Sequence, residues 1–589
     1  MLSLPKLTSR AGYVRSVRSI SSTSSNRVTS STSSTRLPRS LSSTRLPRST
    51  KSSRSSRSSS SIASVRSFSS ARRCCDLYKD EHGNPDYLRM ILLSRVYGAI
   101  KETPLDVAPR ISTQSNATIK LKREDKLPFF SFKLRGAYNR MAYLTPEEKA
   151  KGIITASAGN HAQGVAYSAS VLKVPATVVM PMPTPSIKWE NVRRLGAKVV
   201  LHGRTFDEAK AECARLQEEQ GLTYIPPFDD PYVIAGQGTI GKEITQQTDI
   251  SKLKAVFCPI GGGGLISGIA VYLKRVAPHV RIIGVETHDA DAMKRSLEAG
   301  ERVVLKDIGL FADGTAVSQV GVENFRLAQK YVDEIVLVST DEICASINDI
   351  YTDFRSITEP SGALSLAGAQ KWLRMHPEAQ GMENEYCAIM SGANVNLDRL
   401  RFVSERSRLG AGRETFFIVE MPEKPGAFAK LINTLAPRTI TEFSYRYNRT
   451  HKSARVYISF EVDSRDEIPA IMDAIGSAGM TAHDLSDNSL AKGHARYMVG
   501  GTPGLTDEHV YRFEFPERPG ALVNFLKHMQ MDWNVSLFHY RNAGSDVAHI
   551  LVGIQVPKGK DSELQEFLDT IGYRSFNENN NLAYRLCLK

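Results

Sequence analysis

Four short stretches hold the residues whose types and spacing could do chemistry. In Ser131-Phe132-Lys133-Leu134-Arg135-Gly136-Ala137 a lysine stands where a strand, Thr118 to Lys122, and a polar turn, Arg123-Glu124-Asp125, give way to a helix through Tyr138, Met141 and Tyr143. In an open α/β sheet, sites lie at this carboxyl edge of the strands. Ser157-Ala158-Gly159-Asn160-His161-Ala162-Gln163-Gly164 follows the apolar run Gly152 to Ala156 and leads into a second helix. Small residues there allow a close backbone approach, and N–H groups at a helix start suit an anion such as a carboxylate. Gly261-Gly262-Gly263-Gly264-Leu265 follows the strand Ala255 to Ile260 and precedes a helix from Ile266 to Arg275. Four glycines in that position form a backbone cradle for a phosphate. The fourth stretch, Ile389-Met390-Ser391-Gly392-Ala393-Asn394, again closes an apolar strand. Each stretch alone is a weak signal; their order along one chain is the strong one.

The elements that position these stretches read as alternating strands and helices. Further strands are expected at Pro175 to Met180, Lys198 to Leu201, Arg281 to Val285, Glu334 to Val338 and Tyr386 to Met390, with helices between, such as Phe206 to Gln220. This alternation implies an α/β class with parallel sheets covered on both faces.

A chain of 589 residues is too long for one core. Its net charge of +14 invites a nucleic-acid reading, but the charge sits in one place. Residues 1–75 hold 13 Arg and 2 Lys with no Asp or Glu, and taking these 15 cations away leaves about −1 for the body. This Ser- and Arg-rich segment repeats Thr35-Arg36-Leu37-Pro38-Arg39-Ser40 at Thr44 to Ser49. It has the composition of a mitochondrial transit peptide, disordered and excluded from the fold. No nucleic-acid partner is expected, and no apolar run reaches the 18 residues that would suggest a membrane span. The seven cysteines, Cys74 and Cys75 among them, form no disulfide framework. Cys258 and Cys387 read as small core hydrophobes.

After a basic, glycine-bearing stretch, Arg399 to Arg413, that reads as a linker, the pattern changes. Glu414 to Phe428 is echoed by Tyr511 to Leu522. Pro425-Gly426 recurs at Pro519-Gly520, 94 residues on, and Phe443-Ser444-Tyr445-Arg446 recurs as Phe538-His539-Tyr540-Arg541 at an offset of 95. This is an internal duplication. Each copy reads strand, Pro-Gly turn, helix, strand, strand, helix, which is a ferredoxin-like unit. The expected organisation is a leader over 1–75, a catalytic domain over 76–405, a linker over 406–413, and two regulatory copies over 414–500 and 508–589.

SFKLRGA, SAGNHAQG, GGGGL and MSGAN resemble the motifs of fold type II pyridoxal-phosphate enzymes, the tryptophan synthase β group, and are most similar to those of the threonine dehydratases. The resemblance covers roughly residues 85–405 and implies a two-lobed catalytic domain with pyridoxal 5'-phosphate between the lobes. It implies that Lys133 holds the cofactor aldehyde as a Schiff base and then takes the α-proton, since a desolvated lysine can give up its charge where arginine cannot. Gly261, Gly262, Gly263, Gly264 and Leu265 would hold the phosphate, Asn160 the ring hydroxyl, and Ser391 the pyridine nitrogen. A neutral serine there makes a milder electron sink than an aspartate, which favours β-elimination. Ser157, Gly159, Asn160 and His161 would seat the substrate carboxylate, with His161 shaping the loop rather than acting as base. For L-threonine, loss of the hydroxyl would lead to 2-oxobutanoate and ammonia, the first step of isoleucine biosynthesis. The duplicated tail resembles a pair of ACT domains, which sense amino acids. It implies inhibition by isoleucine and relief by valine, with Tyr445, Arg446, Tyr540 and Arg541 as effector contacts, and a homotetramer in the mitochondrial matrix.

One departure concerns metal. Racemase-type relatives space a metal-binding Glu, a carbonyl and an Asp as E-x3-A-x-D. Here Glu286 and Ala290 fit, but Ala292 ends the pattern and Asp291 comes one place early, so no metal site is expected. The alternatives are a catabolic serine/threonine dehydratase or a serine racemase, which lack a long duplicated tail, and a non-catalytic amino-acid sensor, which would be expected to have lost Lys133 or the glycines. A nucleotide-binding protein would need a P-loop or dinucleotide fingerprint, and neither occurs.

Overall fold

The computed structural model describes residues 78–422, 427–445, 453–494, 507–516, 533–541 and 547–588. The expected leader, Cys74, Cys75, both Pro-Gly turns and Arg446 lie outside these. Ten strands build the first part of the chain: β1 (Leu105–Val107), β2 (Ala117–Arg123), β3 (Ile153–Ala156), β4 (Ala176–Met180), β5 (Lys198–Leu201), β6 (Thr223–Tyr224), β7 (Leu253–Pro259), β8 (Arg281–Thr287), β9 (Glu334–Val338) and β10 (Gly381–Met390). They form two sheets, one in the order β1-β2-β10-β7-β8-β9 and one in the order β5-β4-β3-β6. All pairings are parallel except β1 with β2. The chain therefore makes two lobes, with the second sheet inserted between β2 and β7.

The large sheet is buried on both faces, which explains its unbroken apolar runs. Along β7, Ala255 and Phe257 enter one core with Ile283, Val285 and Trp372. Val256 and Cys258 enter the other, with Leu265, Ile269 and Cys387. The two cysteines pack as expected.

The stretch expected as a linker differs. Arg399–Gly410 is a helix. Val403 enters a core of the large lobe and Leu409 a core shared with the regulatory copies, while Phe402 packs on Phe311 with ring centroids 5.2 Å apart. Packing on the neighbouring helix Thr340–Phe354 overrides a composition rich in serine and arginine.

The tail holds β11 (Glu414–Pro422), β12 (Ile440–Tyr445), β13 (Ser453–Glu461), β14 (Thr481–Asp484), β15 (Glu508–Pro516), β16 (Asn534–Arg541), β17 (Val547–Gln555) and β18 (Arg574–Asn577). Each copy is an antiparallel sheet in the same order, β12-β13-β11-β14 and β16-β17-β15-β18. This is the ferredoxin-like arrangement. Phe416, Ile418 and Tyr457 of the first copy share a core with Val510, Leu551 and Tyr584 of the second. The tail meets the large lobe at Asp341, in the first turn of the helix Thr340–Phe354. Its carboxylate pairs with Lys492 at 2.6 Å and with Arg406 at 3.0 Å.

Candidate active site

Adjacent strands β2, β10 and β7 deliver Lys133, Ser391 and the glycines to one edge of the large sheet. After β2 the chain makes two short 3-10 turns, Glu124–Lys126 and Pro128–Phe130, before the helix Lys133–Ala142. Phe129 and Phe130 both have positive φ, 60° and 56°, a conformation that bulky L-residues adopt at a cost. The turn brings Ser131 against Gly392, and Phe132 N–H donates to the Ser391 carbonyl at 3.1 Å. The first and fourth motifs are thus joined through their backbones.

Lys133 Nζ donates to the Pro227 carbonyl at 3.0 Å and lies 5.8 Å from the centre of the Phe228 ring. Burial draws its ammonium down to about 8, against an opposing pull from Glu359. An amine with this property is partly neutral near physiological pH, as a nucleophile or base requires.

The Phe228 ring also abuts the glycine cradle. A Cβ on Gly262 would lie 2.3 Å from that ring, one on Gly261 3.0 Å from Thr315 Cα, and one on Gly264 3.0 Å from the Phe228 carbonyl. Gly263 has φ +96° and precedes the helix Gly264–Val276. No larger residue fits at Gly262, and the open helix start offers backbone N–H groups without intrahelical partners. The donor set suits a phosphate.

The anion loop is built the same way. The helix Asn160–Leu172 starts after Gly159 with no side-chain cap, so its first N–H groups are unpaired within the helix. Ser157 Oγ accepts the Gly159 N–H at 3.3 Å. The His161 imidazole points elsewhere. It is buried, and its Nε2 donates to the Ile225 carbonyl at 2.9 Å. Burial and the nearby Lys133 charge drive its pKa down to about 3, so it stays neutral. His161 can serve an anion only through its backbone N–H. Gly164 allows this helix to touch the lysine helix: a Cβ there would lie 3.3 Å from Leu134 Cα.

Asn160 Nδ2 donates to Glu359 Oε1 at 2.7 Å, and its Oδ1 accepts from Asn394 Nδ2 at 2.8 Å. Ser391 is buried and its hydroxyl donates to the Ser361 carbonyl at 3.2 Å. Sequence reasoning missed Glu359. It precedes Pro360 at a helix start and reads there as an ordinary cap residue. Reasoning also missed a buried ionic cluster beneath Lys133. Arg135 pairs with Glu124 at 2.7 Å and Glu243 at 2.6 Å, and Lys122 pairs with Glu243 at 2.7 Å, all four side chains being fully buried. The expected polar turn at Glu124 is therefore an interior anchor for the helix that starts at Lys133.

Glu286 accepts the N–H groups of Met293 and Lys294, both at 2.9 Å, and Asp291 pairs with Arg295 at 2.8 Å. Both carboxylates near the altered cation pattern are engaged. Among the described residues no group of three or more His, Cys, Asp or Glu could hold a metal.

Of the expected effector residues, Tyr445 lies on β12 opposite Val456, and Tyr540 on β16 opposite Ile550. Val456 and Ile550 in turn face Val419 and Phe513. The two tyrosines therefore hold equivalent register positions. Arg541 lies opposite His549.

A two-lobed parallel α/β domain, a half-buried lysine at a strand-to-helix junction and a glycine cradle beside it define a fold type II pyridoxal-phosphate enzyme. Residues 96–392 match the family model described as pyridoxal-phosphate dependent enzyme. Residues 405–495 and 499–588 each match the C-terminal regulatory domain of threonine dehydratase. The chain is 54% identical over 515 residues to the mitochondrial threonine dehydratase of Saccharomyces cerevisiae, covering 86% of this chain and 89% of that one. It is 49% identical over 508 residues to the biosynthetic L-threonine dehydratase of Burkholderia multivorans, covering 85% and 99%. Among solved structures, the processed form of threonine deaminase isoform 2 from Solanum lycopersicum superposes with a TM-score of 0.53 at 50% identity, over 55% of this chain and 92% of that one. The chain belongs to the threonine dehydratase family of pyridoxal-phosphate-dependent lyases. Its cofactor is pyridoxal 5'-phosphate, and it carries two copies of the family's regulatory domain.

Proposed function

We propose that the chain deaminates L-threonine to 2-oxobutanoate and ammonia, as the first step of isoleucine biosynthesis in mitochondria. The observation that carries this is Lys133, drawn down to about 8 and placed beside the glycine cradle, in a chain whose relatives over most of their length are threonine dehydratases. Bound there, pyridoxal phosphate supplies an electron sink that acidifies the α-proton of an amino acid.

The protein's residues supply the rest. Gly261, Gly262, Gly263, Gly264 and Leu265 hold the phosphate at a helix N-terminus. Asn160 holds the ring oxygen. Ser391 gives the ring nitrogen a neutral partner, so that electron withdrawal stays moderate and elimination is favoured. The substrate carboxylate rests on the backbone N–H groups of Ser157, Gly159, Asn160 and His161. Once the substrate amine displaces it from the cofactor aldehyde, Lys133 Nζ, partly neutral because of burial, would take the α-proton, and the β-hydroxyl would leave as water with a proton for which the cofactor phosphate is the donor. The Phe132 and Phe228 ring centres lie 5.4 and 5.8 Å from Lys133 Nζ.

Regulation belongs to the tail. Isoleucine inhibits and valine relieves inhibition through Tyr445, Arg446, Tyr540 and Arg541, in copies spanning 414–500 and 508–589; Tyr445 and Tyr540 hold equivalent positions on β12 and β16. An effector can act only by binding two enzyme states unequally. The molecule works as a homotetramer. Residues 1–75 direct import into the matrix. The test is 2-oxobutanoate formation from L-threonine by the wild type and Lys133→Ala, with and without isoleucine. Activity that requires Lys133 and falls with isoleucine supports the reading; equal turnover by Lys133→Ala overturns it.

A further inference from the structure

Among the described residues, Glu359 is a buried carboxyl at the cleft that the assignments above leave without a task. It is 4% exposed and lies on the large lobe, between the helices Thr340–Phe354 and Pro360–Met375. Its partners come from both lobes. Oε1 accepts Asn160 Nδ2 from the small lobe at 2.7 Å, and Oε2 accepts the Asn394 backbone N–H at 3.1 Å. Asn394 closes the ring: its Nδ2 donates to Asn160 Oδ1 and to the Phe129 carbonyl, both at 2.8 Å.

We propose that Glu359 is a positioning residue for the cofactor ring: with Asn394 it locks the Asn160 amide in one orientation, leaving a single amide N–H to donate to the ring oxygen. The proposal rests on the cofactor placement given under the proposed function. The donor count carries it. The Asn160 carboxamide has one acceptor oxygen and two N–H donors. Asn394 occupies the oxygen and Glu359 one donor, so one donor remains. Flipping the amide would turn its NH2 toward Asn394 Nδ2, whose two hydrogens are already committed, and would set two donors face to face. The backbone holds Glu359 in turn. Its N–H donates to the Gly392 carbonyl at 3.2 Å, Thr358 Oγ1 donates to the same carbonyl at 2.6 Å, and a Cβ on Gly392 would lie 2.5 Å from Glu359 Oε1.

Burial and then the nearby Asp313 push Glu359 up to about 8, while Lys188 and the two N–H donors act against them. Asp313 is itself paired with Lys188 and Arg399, both at 3.3 Å.

The test uses full-length enzyme, wild type and Glu359→Ala, Glu359→Gln, Asn160→Ala and the Glu359→Ala/Asn160→Ala pair. Two quantities are read: the pyridoxal-phosphate dissociation constant of cofactor-stripped protein, and the visible absorption spectrum of loaded protein from pH 6 to 9. If Glu359 acts through Asn160, each single Ala variant weakens cofactor binding by about tenfold and shifts the spectrum in the same direction, and the double variant is no worse than Asn160→Ala alone. Glu359→Gln, which keeps an acceptor for Asn160 but turns a donor toward Asn394 N–H, falls between wild type and Glu359→Ala. The proposal is overturned if Glu359→Ala leaves both readouts at wild-type values, or if its effect adds in full to that of Asn160→Ala. Should Glu359→Ala not fold, the Gln variant decides: wild-type affinity and spectrum would overturn the proposal. A wild type that gains no visible band with the cofactor would instead overturn the placement on which the proposal stands.

Discussion

Gly262→Ala offers the sharpest test of the phosphate cradle, because the added methyl meets a specific obstacle. Its carbon would lie 2.3 Å from the Phe228 ring, where carbon contacts prefer about 3.5–4.0 Å. The overlap exceeds about 1 Å. The Phe228 backbone also runs close to Gly264, its carbonyl and Cα 3.0 and 3.1 Å from where a Cβ there would lie, so the ring and the cradle belong to one packed unit. Either the cradle or the Phe228 segment must shift by about 1 Å, more than a hydrogen bond with a mode near 2.9 Å tolerates. Losing one or two charge-assisted bonds, each of about 1.5–3 kcal/mol, corresponds to a cofactor dissociation constant raised about tenfold to 10⁴-fold. Overpacking costs the fold about 1–3 kcal/mol, so the protein should persist. The assay is titration of cofactor-stripped protein with pyridoxal phosphate, followed by the visible band. The control is Gly476→Ala, which meets nothing within 4 Å. Affinity of Gly262→Ala within threefold of wild type would refute the cradle assignment.

Three further outcomes follow from the same geometry. The Lys133 ammonium is drawn from 10.5 to about 8 by burial, so its neutral form is scarce below that value and saturates above it. The rate at which stripped enzyme takes up cofactor should rise about tenfold per pH unit below 8 and level off above it; a rate still climbing tenfold per unit between pH 9 and 10 would contradict this. The linked stability has the same sign: between about 8 and 10.5 the unfolded lysine binds a proton that the folded one lacks, so this group's contribution grows with pH there. Arg135→Ala leaves Glu124 buried without its cation while Lys122 still pairs with Glu243, and should cost about 3–5 kcal/mol in denaturant unfolding of the catalytic domain. Lys492→Ala removes one arm of the Asp341 clamp and should raise the isoleucine concentration for half-inhibition while leaving uninhibited turnover within twofold; unchanged inhibition would remove that contact from the regulatory route.

The parallel strands were legible because their burial on both faces leaves unbroken apolar runs, as in Val256 to Ile260. The helix Phe206–Gln220 was legible because a threonine cap and a following glycine mark its ends. The motif glycines were legible as places where side chains cannot fit. Other features depended on contacts between distant segments. Nothing local distinguishes Glu124, an apparent turn residue, from a solvated one until Arg135 and Glu243 arrive from other helices. Glu359 acquires its role only when β10 brings Asn394 beside it and the small lobe brings Asn160. The helix Arg399–Gly410 reads as a linker in sequence because its few apolar residues, Phe402, Val403 and Leu409, find their cores in segments far away along the chain. His161, expected to shape its loop rather than act as a base, is a buried neutral donor to the Ile225 carbonyl.

The central claim is that Lys133 carries the cofactor. Borohydride reduction of the loaded full-length enzyme, followed by protease digestion and mass mapping of the phosphopyridoxyl label, tests it most directly. The account predicts one labelled peptide, containing Ser131-Phe132-Lys133-Leu134, and no label in Lys133→Ala. A label on any other lysine of the wild type, with Lys133 unmodified, would contradict it.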